Sequence, residues 1–500
     1  MRKAALLVLL GAAPAGAQDP STEAYKLFFK EEIAPEWKTE SMSEIRKVML
    51  TGFQRHDVPD AAEWLMTDVL AKEEEGDIVR EAVRVLSLYK TPETVARMAE
   101  VWERKLRKPW YAKALAALAF GTSKQKEIDE VLAKALKDRD ERVVICACRA
   151  VGQGKKLAFR ADLEKLVSHK HPLVRGAAML ALGELGGEES LPLIFKAFCG
   201  DASHRARYDA WIALRKLTLL ELPCDPSQWA EFWQKRAGEV PEGEANPWGT
   251  SFPKFARNVG PASRFFGIPV LGDRICFVID VSLDMANPFT VDIKAEREKP
   301  AEERIPNFFN VKTRWDLAIA NVKECLDGLP EDVEFAVVFF SHEHTVWPDG
   351  GKFTKNRETA RKQLIQHMEE LKVGGSTAMF EGFRAGWGLL KDGNEDVNFD
   401  KGCDTILFVT DGRPTDGELK NRPDRLRDDA WRVAVPRALR IHAVGVHYHE
   451  DELLKALAKE TGGLYVHAQQ AGDTTEPQDL DFWPAKKKAF EEARKAKKGQ

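Results

Sequence analysis

The chain has 500 residues, more than one hydrophobic core ordinarily supports, so two or three domains are expected. Its 75 basic and 79 acidic residues leave a formal net charge of −4 at pH 7, and 44% of its residues are hydrophobic. This composition is typical of a soluble globular protein. The near balance of charge gives no electrostatic reason to expect a nucleic-acid partner.

The first residues have the pattern of a secretory signal peptide. Arg2 and Lys3 precede the apolar run Ala4–Leu10, and small residues at Ala15–Ala17 form a cleavage pattern. The apolar run is too short to span a bilayer permanently, and no later stretch predicts a transmembrane segment. We expect removal of residues 1–17 and a periplasmic or secreted mature protein.

The seven cysteines predict no disulfide framework, although export would permit disulfides. Cys199 and Cys224 are the one pair worth considering. Cys276 and Cys325 lie in apolar segments and are interpreted as small core residues. The odd number of cysteines leaves at least one free thiol.

A repeated helical pattern follows a charged lead-in segment at residues 18–41. The phrase apolar-x-x-Ala-x-x-x-apolar recurs, with a period in the range of roughly 20–45 residues that is typical of solenoid repeats. Its alanines are Ala82, Ala114, Ala147, Ala177 and, in a poorer copy, Ala210. Residues 42–222 are therefore predicted to form an all-α solenoid.

The segment His171–Phe198 carries the clearest copy, in which a Pro-x-Val-Arg-x-x-Ala phrase opens the first helix. This segment resembles a HEAT repeat, and the resemblance covers roughly residues 60–220. It implies an elongated surface for a partner protein; the alternative is a spacer or a cap on the next domain. Four residues are expected to form a continuous buried seam: Val143, Val144, Leu173 and Val174.

Residues 223–271 are interpreted as one helix followed by a linker. Asp225–Arg236 has Trp229 and Trp233 four residues apart, which predicts an amphipathic helix that closes the solenoid. The prolines and glycines after it are typical of a connecting segment.

From residue 272 onward, apolar runs alternate with amphipathic helical patterns, which predicts a doubly wound α/β domain. The insertion Asn287–Lys312 is expected to be a surface loop, and residues 469–500 a solvated basic tail. Strands are predicted at Ile275–Asp280, Phe335–Phe340, Thr345–Trp347, Thr405–Thr410, Ile441–Val446 and Leu464–His467. Helices are predicted at Arg314–Leu326, Arg357–Leu371, Met379–Leu390, Leu426–Leu439 and Glu450–Glu460.

Oxygen-bearing side chains follow the ends of two predicted parallel strands and a glycine-rich turn. Asp280, Ser282 and Asp284 come directly after the first strand, Thr377 follows the turn, and Asp411 follows Thr405–Thr410. The carboxyl ends of parallel strands meet at one edge of an open sheet, where such folds bind ligands. Hard oxygen ligands suit Mg²⁺, Mn²⁺ or Ca²⁺ rather than zinc. The alternative is that the aspartates only cap turns and helix starts.

Residues 272–468 resemble a von Willebrand factor A (VWA) domain, which has a Rossmann-like fold. Four segments occur in the order of that family: VIDVSLDM, GGSTAMFEG, FVTDGRPTDG and LLKALAKETGGLYVH. Its metal-ion-dependent adhesion site has an Asp-x-Ser-x-Ser motif, a distant Thr and a distant Asp. Asp280, Ser282, Thr377 and Asp411 match these positions. The resemblance implies a divalent cation, with Mg²⁺ as the first expectation, and an open position that a partner protein's Asp or Glu fills.

Asp284 departs from the family pattern, which has a serine hydroxyl at that position. A dication with three carboxylates has a formal charge of −1, against 0 with two carboxylates. The cation could be held more firmly while an acidic partner is attracted less. Asp284 could instead fill the open position and make the ion structural, or the site could bind metal poorly.

Other ligand-like patterns are less specific. Two histidine segments could suggest a zinc site, His342–His344 and His447–His449, with His467 nearby. No third ligand has motif spacing, so zinc is not favoured. Asp392–Asn398 imitates the start of a calcium loop. It has Val397 where that loop needs Gly and Cys403 where it needs Glu, so it is interpreted as a solvated acidic loop.

The predicted function is non-enzymatic, because no nucleophile elbow, phosphate-binding loop or catalytic residue outside the metal ligands is found. We expect an adhesion or scaffold protein of the cell envelope or exterior, which binds protein partners through the cation site and the solenoid surface. The alternatives are a metal-assisted hydrolase that uses the clustered carboxylates, and a structural module with a degenerate or purely structural metal site.

Overall fold

The computed structural model of the protein describes residues 46–47, 50, 53–55, 57–106, 110–238, 262–299, 304–388, 399–447 and 449–471. The predicted signal peptide, the lead-in segment, the acidic segment 392–398 and residues 472–500 of the tail lie outside these ranges. The chain forms two compact units, Met1–Leu185 with Val435–Arg437, and Gly186–Ala434 with Ala438–Gln500. Helices within residues 191–238 therefore belong to the same unit as the sheet. The domain boundaries drawn from the sequence remain predictions.

Helices make up the described part of the first unit. They are α1 Pro59–Trp64, α2 Gly76–Leu86, α3 Pro92–Arg104, α4 Trp110–Ala119, α5 Lys126–Ala135, α6 Glu141–Gln153, α7 Arg160–Leu166 and α8 Pro172–Leu185. Helix α4 packs between α2 and α6, α6 packs on α8, and α3 packs on α5 in a separate row. Two rows of stacked helices are the arrangement of a helical repeat, in which each unit buries its apolar face on its neighbours.

Small residues allow the helices of one row to approach closely. Ala82, Ala114 and Ala147 are fully buried. A Cβ added at Gly152 on α6 would lie 3.0 Å from the Cα of Ala181 on α8, so the two backbones are nearly in contact there. The four residues of the predicted seam are all buried, which confirms that expectation: Val143, Val144, Leu173 and Val174.

The second unit begins with three helices and continues as an α/β unit. Its helices are α9 Leu191–Gly200, α10 His204–Thr218, α11 Pro226–Gly238, α12 Ile293–Glu298, α13 Arg314–Gly328, α14 Glu358–Glu370, α15 Met379–Trp387, α16 Pro423–Ala434 and α17 Asp451–Thr461. Its strands are β1 Ser263–Phe265, β2 Ile268–Val270, β3 Arg274–Asp280, β4 Glu334–Phe340, β5 His344–Trp347, β6 Thr354–Lys355, β7 Thr405–Thr410, β8 Arg440–Val446 and β9 Tyr465–Ala468. No helix of the described ranges is both long and apolar enough to cross a bilayer.

Seven strands form one mixed sheet in the order β5-β4-β3-β7-β8-β9, with β6 also paired to β4. Strands β4, β3, β7, β8 and β9 are parallel, whereas β5 and β6 run antiparallel to β4. Strand β3 lies at the centre, where Ile279 is paired with Phe339 of β4 and Val409 of β7. The carboxyl ends of five parallel strands therefore share one edge.

Both faces of the sheet are covered. Ile275, Phe277 and Ile279 of β3 contribute to a core that includes side chains of α13 and α14. Cys276 and Val278 point to the opposite core, which includes side chains of α15, α16 and α17. Successive residues of a strand face opposite sides, so a strand that is buried on both sides needs a continuous apolar run. This is the doubly wound arrangement that the sequence predicts.

Three predicted segments differ from the structure. The presumed linker contains a β1–β2 hairpin, whose turn places Phe266 and Gly267 at φ values of +51° and +78°. The presumed loop Asn287–Lys312 contains α12, because Asp292 accepts hydrogen bonds from the backbone N–H groups of the next helical turn. Helix α16 ends before Pro436, which has no N–H to continue a helix.

All seven cysteines are free thiols, including the pair Cys199 and Cys224. Cys276 and Cys325 are fully buried, as expected of small core residues. Burial raises the pKa of the Cys276 thiol well above its ordinary value, which keeps it protonated and unreactive.

Helix α10 covers the amino edge of the sheet with an ion-pair network. Asp209 and Arg440, each 1% exposed, are joined by a 2.5 Å contact between Oδ1 and Nη2. Arg205 donates through Nη1 to the backbone carbonyl of Asp404 at 2.6 Å. The guanidinium of Arg440 also stacks on the ring of Tyr208 at 4.5 Å.

The Asp404 carboxylate completes this network from the residue before β7. Its Oδ2 accepts from the backbone N–H groups of Asp273 and Arg274 at 2.9 and 2.7 Å, and its Oδ1 accepts from the Thr405 hydroxyl at 2.7 Å. Both carboxylate oxygens are therefore bonded by the chain itself. Burial raises the pKa of Asp404 to about 6, and the neighbouring Asp273 adds to that effect.

Candidate functional site

Asp280, the last residue of β3, anchors the cluster at the carboxyl edge. Its side chain is fully buried between β4 and β7. Oδ1 accepts from the backbone N–H of Ser282 at 2.8 Å, and Oδ2 accepts from the Thr410 hydroxyl at 2.6 Å. Burial, with a further contribution from Asp411, raises the pKa of Asp280 to about 7. The Asp280 carboxylate is thus held in place and is short of positive charge.

Ser282 lies two residues further and is also buried. Its hydroxyl oxygen is buried near the Asp280 carboxylate, whose pKa it lowers, but it lies outside hydrogen-bond geometry with every described residue. Asp284 follows in a short 3₁₀ turn, Leu283–Ala286, and is exposed. Its Oδ1 accepts from the side-chain amide of Asn287 at 3.2 Å. Asp284 therefore lies on the solvent side of Asp280 and Ser282.

The Thr377 loop is attached to the loop after β3 by backbone hydrogen bonds. Gly374 N–H donates to the carbonyl of Val281 at 2.7 Å, and Leu283 N–H donates to the carbonyl of Gly375 at 3.0 Å. Gly375 has φ +89°, a conformation that favours glycine, and a Cβ there would overlap the ring of His342. These bonds bring the loop that carries Thr377 against the end of β3.

Thr377 itself is buried and adjoins the loop after β7. Its carbonyl accepts from the N–H groups of Thr415 and Asp416 at 3.1 and 3.2 Å. A Cβ added at Gly412 would lie 3.1 Å from the Thr377 hydroxyl oxygen. The glycine after Asp411 therefore leaves the space that the threonine hydroxyl needs.

Asp411 is paired with an arginine that sequence reasoning missed. Its Oδ2 accepts from Arg314 Nη1 at 2.8 Å, and both residues are buried. Its Oδ1 is buried and has no hydrogen-bond partner in the described part of the chain. Burial raises the pKa of Asp411, Arg314 opposes this shift, and the charge of Asp284 adds to it. Asp284 is therefore close enough to act electrostatically on Asp411.

The arrangement brings four of the five predicted residues together as buried groups: Asp280, Ser282, Thr377 and Asp411. Asp284 stands at their exposed side. Arg314 opens α13, which begins with a capping box formed by Thr313 and Asp316. That local signal predicts the helix start but not the contact with Asp411.

The two histidine segments considered for zinc differ from each other. His342 lies beside Ser341, with its Nδ1 3.2 Å from the hydroxyl, and His344 is exposed on β5. His449 instead lies near Asp451 and His467, and the ligand atoms of these three residues are within 4.8 Å of one another. No motif spacing in the sequence marks Asp451 as a third ligand.

A family model of the PBS lyase HEAT-like repeat matches residues 174–197. The match covers all but the first two residues of α8 and all but the last three of α9, within the segment that resembles a HEAT repeat by its sequence. No curated protein sequence matches the chain significantly.

Three solved structures show a partial likeness. The von Willebrand factor type A protein from Catenulispora acidiphila is 18% identical with a TM-score of 0.30, over 40% of this chain and 39% of that one. The pilus adhesin SpaC from Lactobacillus rhamnosus GG, in an open conformation, is 16% identical with a TM-score of 0.27, over 40% of this chain and 28% of that one. The PilB minor pilin from Streptococcus sanguinis is 16% identical with a TM-score of 0.27, over 46% of this chain and 62% of that one.

The chain thus spans less than two thirds of each of these three proteins. Likeness at this level establishes neither a family nor an activity. The chain is a helix-rich protein with a HEAT-like repeat at residues 174–197 and a C-terminal α/β unit built on a mixed sheet.

Proposed function

We propose that this is an exported, non-enzymatic binding protein of the adhesion or scaffold type. Its α/β unit, a VWA domain in this proposal, holds a divalent cation at Asp280, Ser282, Asp284, Thr377 and Asp411. Mg²⁺ is the first choice, with Mn²⁺ and Ca²⁺ as alternatives. The cation and its surroundings bind an acidic side chain of a partner protein, and the helical repeats provide a second surface for the same partner.

The observation that carries this proposal is a pair of buried oxygen atoms that lack hydrogen-bond partners, Ser282 Oγ and Asp411 Oδ1. Leaving a buried polar atom unsatisfied costs about 1–3 kcal/mol. Both atoms lie at one sheet edge, beside a carboxylate whose pKa is raised to about 7. A hard dication satisfies all three groups at once, because each is an oxygen ligand.

Arg314 changes the charge balance that the sequence alone suggests. A dication with three carboxylates has a formal charge of −1, and the buried guanidinium of Arg314 brings the site to 0. This is the charge expected of the family site with two carboxylates, so Asp284 does not make the site repel an acidic partner. A bound cation would supply the electrophilic position for that partner.

Ser282→Ala tests the cation site with the smallest change. In purified, chelator-treated protein we expect Mg²⁺ to bind the wild type with measurable heat and to raise its melting temperature. The alanine variant should bind more than about tenfold more weakly, a loss of ~1.4 kcal/mol. Asp349→Asn is the matched control. Asp349 is exposed beyond β5, and since β5 runs antiparallel to β4, it lies towards the opposite edge of the sheet.

Asp284→Ser separates the roles left open for that residue. If Asp284 is a peripheral ligand, the serine variant keeps Mg²⁺ binding with altered affinity, and capture of partners from an envelope fraction stays sensitive to chelator. If neither the wild type nor Asp284→Ser responds to Mg²⁺, Mn²⁺ or Ca²⁺, the cation-dependent function is wrong. Turnover of a phosphoester or peptide substrate that disappears in Asp280→Ala would favour the hydrolase alternative.

A further inference from the structure

A second group of metal-ligating side chains lies between β8 and β9, apart from the oxygen cluster. His449, Asp451 and His467 each present one ligand atom, and these atoms lie within 4.8 Å of one another. His449 follows β8, Asp451 is the first residue of α17, and His467 is on β9. The Tyr465 hydroxyl oxygen lies 2.6 Å from Nε2 of His449. Three elements of the α/β unit therefore converge on this point.

The space for the His449 ring depends on Gly445. Gly445 and His467 are opposite each other in the pairing of β8 with β9, so they share one face of the sheet. A Cβ added at Gly445 would overlap the His449 ring. The ring takes that place beside His467, with the two ring centres 4.7 Å apart. The absence of a side chain at Gly445 thus allows the two imidazoles to meet.

Hydrogen bonding orients the His449 ring as metal-binding histidines are oriented. Its Nδ1 lies 2.8 Å from the backbone carbonyl oxygen of His447. An imidazole that donates from Nδ1 to a carbonyl keeps the Nε2 lone pair for a ligand. That Nε2 lies 3.0 Å from Oδ1 of Asp451. A carboxylate oxygen and an imidazole lone pair at this distance need a proton or a cation between them.

The neighbouring side chains do not supply a proton for that position, which leaves it for a cation. Tyr465 has one hydroxyl proton, and it donates to Asp451. The other carboxylate oxygen of Asp451 accepts from Lys455. Nε2 of His467 is buried and has no hydrogen-bond partner among the described residues. The second imidazole therefore also has an unused nitrogen.

We propose that His449, Asp451 and His467 bind Zn²⁺. Two imidazole nitrogens and one carboxylate oxygen form a zinc-type ligand set, with a fourth position for water or Tyr465. Bond lengths of about 2.0–2.1 Å in a tetrahedron separate ligand atoms by about 3.3 Å, close to the 3.0 Å between His449 and Asp451. The three ligand atoms lie within 4.8 Å of one another, so the His467 side chain must move to bring its nitrogen to the zinc ion. The oxygen cluster at Asp280 differs in ligand type, so the two sites prefer different cations.

The test uses the full chain without a histidine tag, made metal-free and titrated with Zn²⁺ in excess Mg²⁺. We expect one zinc ion to bind per wild-type chain and to raise its melting temperature. His467→Ala and Asp451→Asn should each weaken binding by at least about tenfold. His344→Ala, an exposed histidine on β5, is the matched control and should bind zinc like the wild type.

Two results would overturn the zinc site. One is a wild type that binds no zinc; the other is full zinc affinity in His467→Ala, which would assign the binding to other residues. Circular dichroism before titration shows whether each variant is folded, and Asp451→Asn preserves side-chain size if His467→Ala is not. Ser282→Ala should retain zinc binding, so this proposal and the proposed Mg²⁺ function can fail independently.

Discussion

Aspartates are buried at both edges of the sheet, but the groups that are bonded to them differ between the two edges. At the amino edge, Asp209 is paired with Arg440, and both oxygens of Asp404 accept hydrogen bonds from the chain. At the carboxyl edge, Asp411 accepts from the guanidinium of Arg314, while Asp280 accepts from two uncharged donors, the Ser282 N–H and the Thr410 hydroxyl.

The two edges show how a structural carboxylate can be distinguished from a metal ligand. Burial alone does not do so, because Asp209 and Asp280 are equally inaccessible. Raised pKa values do not do so either, since burial raises the pKa of both Asp404 and Asp280. The distinguishing property is how much positive charge the chain provides: Asp209 lies beside the guanidinium groups of Arg440 and Arg205, whereas Asp280 is bonded by uncharged donors. Where carboxylates outnumber the guanidinium groups beside them, a bound cation is the natural complement.

The largest expected effect is at the amino edge. Asp209→Ala removes the carboxylate from two buried guanidinium groups, Arg440 and Arg205. Breaking a buried ion pair on one side costs about 3–5 kcal/mol, so the free energy of unfolding in urea should fall by that amount. Asp327→Ala is the control, because Asp327 is exposed and its pair with Arg361 contributes less than about 1 kcal/mol. Equal effects of the two variants would contradict a structural role for the network.

A serine at each edge gives a matched pair. The Ser203 hydroxyl accepts from the backbone N–H of Ala206 at the start of α10 and donates to Asp273. Ser203→Ala should therefore lower stability by about 0.5–2 kcal/mol. Ser282→Ala removes a hydroxyl without a partner, so the cation-free protein should not be destabilised. A loss of stability in Ser282→Ala under these conditions would show that its hydroxyl has a structural role.

A third difference between the two edges is in pH dependence. The folded pKa values of Asp404 and Asp280, about 6 and about 7, lie above the usual aspartate value of about 4. A raised folded pKa contributes stability that is complete below pH about 4 and is lost as the pH rises to the folded pKa. Urea midpoints without cations should therefore fall from pH 4 to 7.

Cations separate the two contributions to this pH dependence. Mg²⁺ should restore the stability that is lost as Asp280 ionises. Asp404→Asn should remove the loss of stability that is complete by pH about 6. Midpoints that Mg²⁺ leaves unchanged at pH 7.5 would contradict the assignment of the carboxyl edge as the cation site.

The central strands could be predicted closely from the sequence. Strand β7 has the predicted bounds Thr405–Thr410, and β3 begins one residue earlier than expected, at Arg274. Both are continuous apolar runs, a signal that depends only on local sequence. The β1–β2 hairpin was missed because its short strands lie in a stretch rich in proline and glycine, which is also typical of linkers.

The site could be predicted only in part. Asp280, Ser282, Thr377 and Asp411 each follow a strand end or a glycine turn, so the topology alone brings them to one edge. Arg314 contacts Asp411 from 97 residues away in sequence, and no local spacing encodes that contact. The same holds for His467, which reaches His449 because its strand pairs with β8 in a particular register.

Because α10 covers the amino edge of the sheet, it limits where the chain can be truncated. A fragment that begins at residue 272, where the VWA resemblance begins, lacks Arg205 and Asp209. Arg440 would lose the carboxylate that it is paired with, and Asp273 would lose the backbone N–H donor of His204 at 2.8 Å. A fragment that retains these bonds must begin before Ser203, so the sheet and α10 should be expressed as one piece.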